Sequence, residues 1–105
     1  MSDYIEEIKA VFMVTHGCEA SYVETVPVRE EFQGETIWEG DVEVFDLVGH
    51  PKATRGYGWG YVATDEGGRR YFTMLELPPV DSPQAAVKAA IMREIQRARE
   101  KDKSR

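Results

Sequence analysis

The sequence is poor in the features that mark secreted, membrane-spanning or metal-binding chains. Its single cysteine, Cys18, has no internal partner, which excludes a cystine-stapled scaffold. The longest apolar run, Ala10-Val11-Phe12-Met13-Val14, falls far short of the ~18 residues a membrane helix needs, so no membrane contact is expected. Asp3, Glu6 and Glu7 make the first residues acidic where a signal peptide is basic. With a free thiol, that makes a reducing cytoplasm the expected compartment. There is no Gly-rich phosphate loop followed by lysine and no serine in a nucleophile-elbow context, so no cofactor is expected.

What is present fits one globular domain. At 105 residues, 42% hydrophobic and 30% charged, the chain is too short for a second domain and too apolar for disorder. Its net charge of −6 is uneven. Residues 1–81 carry 6 Lys and Arg against 16 Asp and Glu, a balance of −10, while residues 82–105 carry 7 against 3, a balance of +4. An acidic body repels phosphate backbones, which disfavours nucleic acid as a partner and leaves only the basic C-terminal helix to contact it.

The spacing of apolar residues predicts an α+β fold. Ser82-Pro83 pairs an N-cap with a first-turn proline, and Val87, Ile91 and Ile95 repeat at i, i+4 with Ala90 beside them. A helix is expected over 83–98, with 99–105 a frayed basic tail. Residues 8–77 read as strands. Segment 8–15 is rich in β-branched residues, although Ser2 to Glu7 can also open a short helix. Segment 22–32 contains Pro27 and belongs at an edge or bulge. Gln33-Gly34 marks a turn, and 36–48 continues as a strand with a kink at Glu39-Gly40-Asp41. A hairpin over 53–77 turns at Asp65-Glu66-Gly67-Gly68, which puts Tyr57, Trp59, Tyr61, Phe72 and Met74 on one face and Gly58, Gly60, Val62, Tyr71, Thr73 and Leu75 on the other. The expected architecture is a curled antiparallel sheet of about five strands, or a small open barrel, with one C-terminal helix covering the Tyr57/Trp59 face, all within a single domain over 1–98.

Few residues carry chemistry. His16 and Cys18 stand two positions apart, and with Glu19 and His50 they form a conceivable thiol dyad or metal set, but the spacing matches no paired-ligand motif. No catalytic residue and no metal ligand is therefore assigned. Gly49-His50-Pro51 reads as a turn capped by its histidine. Gly56-Tyr57-Gly58-Trp59-Gly60 opens no helix and fails as a dinucleotide loop. Glu39, Asp41 and Glu43 share a face at strand spacing if no bulge intervenes; a cation could sit there, but the calcium-loop pattern is absent and a solvated acidic face is the expected reading. Because one helix covers only one face of the hairpin, Val62, Tyr71, Leu75 and Leu77 are the expected interface with a second copy or another protein. The sequence thus favours a non-enzymatic cytoplasmic domain acting through protein contacts, as a homodimer. The alternative is a small-molecule-binding protein or enzyme with an aromatic pocket of Tyr57, Trp59, Tyr61, His16 and His50.

Overall fold

The computed structural model describes residues 3–62 and 69–103. The chain runs α1 (Asp3–His16), β1 (Glu19–Phe32), β2 (Glu35–Val48), β3 (Arg55–Val62), β4 (Arg69–Leu75) and α2 (Pro83–Lys103). The strands form one antiparallel meander in the order β1-β2-β3-β4, with a helix on each face. The fold is α+β.

Segment 8–15 is a helix and not the expected strand, which leaves four strands in place of about five. Its β-branched residues favour a strand locally, but Tyr4, Ile8 and Phe12 recur every fourth residue and place one stripe against the sheet. Gly17, at φ 67°, ends the helix, and its N–H bonds Met13 O at 2.9 Å in a left-handed cap. The stripe lies on Gly56, Gly58 and Gly60. A Cβ built on these glycines would meet Phe12, Ile8 and Tyr4 at 2.6, 2.6 and 2.7 Å. Four residues of helix advance about 6.0 Å and two residues of strand about 6.7 Å, so the two periods run nearly in step. The alternating glycines of β3 are a track for α1.

α1 therefore covers the face that the hairpin parity assigned to an interface. Tyr71, Leu75 and Leu77 pack with Ile8, Phe12, Phe45 and Leu47 in the chain's own second core, and the need for another chain over that face disappears. The side chain of Val62 lies outside the described residues. The parity itself holds: Tyr57 pairs Met74, Trp59 pairs Phe72 and Gly58 pairs Thr73. The turn expected at 65–68 lies outside the described residues.

α2 covers the opposite face, over Val28, Val42, Val44, Tyr57, Trp59 and Met74. Ser82 Oγ accepts the Ala85 N–H at 3.1 Å, the anticipated N-cap. Val87 and Ile91 face the sheet, but Ile95, expected on the buried stripe, is exposed because only the first half of the helix lies over the core. The backbone stays helical through Lys103, past the expected end at 98, in a run rich in Arg, Glu and Lys, which are good helix formers.

β1 is an edge strand, where Pro27 is tolerated. A register shift between Tyr22 and Glu24 explains its untidy alternation: Ala20 and Tyr22 pair with Leu47 and Phe45 toward α1, whereas Val26 and Val28 pair with Val42 and Gly40 toward α2. Gln33 and Gly34, at φ 52° and 82°, make the tight turn to β2. The kink expected at Glu39-Gly40-Asp41 is absent. Those residues pair in unbroken register with Arg29, Val28 and Pro27, and Gly40 makes room for the Trp38 ring, 3.2 Å from where its Cβ would stand.

Candidate functional site

The residues with chemistry fall in two separate places. The first is the loop end of the sheet, where His16 ends α1 and the turn at Gly49-His50 lies against Gly17 and Cys18. His16 Nε2 meets Thr73 Oγ1 at 3.1 Å. Burial, with a smaller contribution from the nearby charge of His50, holds the His16 imidazole below its ordinary pKa. His50 Nδ1 accepts two backbone N–H groups, from Lys52 at 3.1 Å and Ala53 at 2.9 Å, so this ring is the strand-end cap that the sequence suggested. Cys18 is buried, and burial pushes its thiol pKa up, away from the reactive thiolate. The three groups are neighbours, but each imidazole has a structural hydrogen bond and the thiol is a small core side chain. Among the described residues no group of three His, Cys, Asp or Glu is placed to hold a metal ion.

The second place is a cleft between β2 and β3. These strands pair only from Glu43↔Gly58 to Asp46↔Arg55. Beyond that point residues 35–42 continue along β1 and residues 59–62 along β4, so the sheet opens into a notch. Its cavity of about 430 Å³ is lined by Tyr4, Trp38, Glu39, Gly40, Asp41, Glu43, Trp59, Gly60 and Tyr61.

Aromatic rings replace the missing ladder. Trp38 and Trp59 meet edge to face across the notch, 5.6 Å between centroids, and Trp59 stacks on Phe72 at 5.0 Å. From the α1 side the Tyr4 hydroxyl accepts the Gly60 N–H at 2.8 Å, taking a backbone donor that pairing with β2 would otherwise have used. The unbroken register opposite β1 puts Glu39, Asp41 and Glu43 on one face of β2. Glu43 is only 5% exposed, and its Oε1 accepts the Thr25 hydroxyl at 2.5 Å.

The aromatic pocket expected from sequence is therefore corrected. Trp59 and Tyr61 line the cleft, Tyr61 as an exposed rim residue. Tyr57 does not: it is buried under α2, and its hydroxyl donates to Glu76, which together with burial raises its pKa beyond the normal tyrosine range. His16 and His50 lie at the other end and do not line the cleft. Trp38 and Tyr4 were not singled out, because their roles depend on the strand separation and on α1. The alternation of Trp38, Gly40 and Val42 with Glu39, Asp41 and Glu43 was the available signal.

Among the described residues no helix is long and apolar enough to cross a membrane. Comparison with protein-family models, with characterised proteins and with solved structures found no match to the chain.

Proposed function

We propose that the protein is a non-enzymatic binding domain of the reducing cytoplasm and that the cleft between β2 and β3 is its binding site. The observation that carries this reading is the cavity itself. It opens where two strands abandon their pairing, and at about 430 Å³ it falls within the range of small-ligand sites. Its aromatic walls belong to a rigid row locked by ring contacts, the preorganisation that binding favours. The groups best suited to catalysis support the same reading, since His16, Cys18 and His50 lie outside the cleft and are engaged in holding the fold. The partner contact is the entry of a ligand or side chain into the cleft, and nothing in it requires a second copy.

The test is a two-dimensional amide and indole NMR map of the full chain against a panel of small cationic, neutral and anionic probes. Shifts gathered on Tyr4, residues 38–43 and residues 59–61 are expected. Shifts gathered instead around His16 and His50, or none from any probe, would contradict the proposal.

A further inference from the structure

We infer that the open edge of β2 in this cleft takes an extended polypeptide strand whose side chains alternate between basic and apolar. The inference rests on the cleft being the binding site and adds what enters it.

Its first support is the backbone. In an antiparallel ladder both main-chain groups of a residue point to one neighbouring strand, and successive residues alternate between neighbours. The Leu47 N–H bonds Thr54 O at 2.9 Å, so the odd-numbered residues of β2 turn their main-chain groups toward β3. Pro27 fits the same parity: it has no N–H to give, and it stands opposite Asp41, whose main-chain groups point away from β1. The ladder with β3 stops at Glu43↔Gly58. Beyond it the N–H and C=O groups of Glu39 and Asp41 point into the cleft, and among the described residues no strand pairs with them there. On the opposite wall the Tyr4 hydroxyl already takes the Gly60 N–H, which leaves β2 as the edge open to pairing. An unpaired strand edge is a template for another chain, whose main-chain hydrogen bonds supply affinity and whose alternate side chains supply specificity.

The two faces of β2 choose the occupant. Parity sets Glu39 and Asp41 on the α1 side, with Phe45 and Leu47, and Trp38 and Gly40 on the α2 side, with Val42 and Val44. A side chain directly opposite Glu39 or Asp41 in an added strand shares their face. Both carboxylates are exposed, and among the described residues no Lys or Arg forms an ion pair with either. Opposite charges attract in such cross-strand pairs and like charges destabilise them, so these positions call for Lys or Arg. A side chain opposite Gly40 falls on the other face. There the Trp38 ring lies over Gly40, 3.2 Å from where its Cβ would stand, and exposed Tyr61 borders the same cavity. Rings of this kind pair well with a β-branched side chain. Pairing of β2 with β2 of a second copy would instead set carboxylate against carboxylate. The other edges suit such a strand less: β4 opens with Arg69 and Arg70, and β1 is interrupted by Pro27.

The experiment titrates the full chain with acetyl-Lys-Val-Lys-Val-Lys-amide, followed by amide resonances and amide hydrogen exchange. At saturation the Glu39 and Asp41 amides are expected to exchange tenfold or more slowly. The same peptide with Glu for each Lys should bind roughly tenfold or more weakly. Asp41→Asn and Glu39→Gln should each weaken the lysine peptide by about threefold while circular dichroism stays native. Esters in place of the lysine N–H groups should weaken binding roughly tenfold, and esters in place of the valine N–H groups far less, because only the lysine main chain faces β2. Equal losses from the two ester forms, equal binding of the glutamate peptide, or protection confined to β1 or β4 would overturn the inference. Concentration-dependent dimerisation of the free chain that protects the Glu39 and Asp41 amides would give the edge to a second copy and overturn it as well. Cleft shifts from small probes without peptide protection would overturn it while leaving the cleft as a binding site; no cleft response to probes or peptide would remove both.

Discussion

Replacing Gly58 with alanine tests the contact that defines the α1 side of the fold. The added Cβ would stand 2.6 Å from Ile8 Cγ2 and 3.4 Å from the Phe72 carbonyl oxygen, whereas carbons in good contact are ~3.5–4.0 Å apart. Ile8 cannot easily turn away, because a β-branched side chain in a helix is nearly confined to one χ1 rotamer and this one is fully buried. α1 must therefore lift from the sheet. Overpacking of this kind costs about 1–3 kcal/mol, and the reduced freedom of the unfolded alanine chain returns about 0.4–1 kcal/mol. The expected net loss lies between about 0 and 2.6 kcal/mol, centred on about 1.3 kcal/mol, read as a lower urea midpoint with an unchanged slope. Ile8→Ala alone should cost about 2–5 kcal/mol through its cavity. Combined with Gly58→Ala, it should cost less than the sum by about 0.5–3 kcal/mol, because the new methyl enters the space Ile8 vacates. A Gly58→Ala protein more stable than the parent, or a strictly additive double variant, would refute the glycine track.

Three further outcomes follow from the loop end of the sheet. His50→Ala removes the acceptor of two backbone N–H groups and should cost about 1–2 kcal/mol in chemical unfolding, with His50→Asn recovering part of it; an alanine variant of parental stability would show that water replaces the ring without loss. The His16 pKa is lower in the folded state than its usual 6.5, so the unfolded chain binds the proton more readily; its contribution to stability is complete above that pH and declines as pH falls through the folded value. The pH dependence of the melting temperature should therefore flatten on the acid side in His16→Gln, and an unchanged profile would contradict the assignment. Cys18, buried with a raised pKa, should react with a thiol reagent many times more slowly in the native chain than in urea, and equal rates would show the thiol open to solvent.

The legible parts of the fold were those written in local chemistry. Ser82-Pro83 marks a helix start and Gln33-Gly34 a hairpin, because cap and turn geometry depend on neighbouring residues alone. Hairpin parity was legible too, since any even loop between Tyr57 and Met74 leaves the same residues on the same side. The first helix was not, because its β-branched residues point locally to a strand. Its stabilisation comes from Gly56, Gly58 and Gly60, some fifty residues away, and His16-Gly17 was the overlooked stop signal. That single misreading propagated: with one helix the face of Tyr71 and Leu75 demanded a partner, and with two it is core. At the site, Glu39, Asp41 and Glu43 were visible as one acidic face. That a cavity opens beside them, bordered also by Trp38, Trp59 and Tyr61, depends on β2 and β3 parting beyond the Glu43↔Gly58 pair, a tertiary event that no local pattern announces.

The central claim is that the cleft between β2 and β3 is where this protein binds. Intermolecular nuclear Overhauser effects in the complex with the tightest-binding probe of the panel test it most directly, because they place the ligand by distance and not by an indirect response. Contacts are expected from the probe protons to the rings that line the cleft, Tyr4, Trp38, Trp59 and Tyr61, and none to His16 or His50. Contacts confined to the exposed Met92 and Ile95 of α2, or to the His16 and His50 end of the sheet, would contradict it.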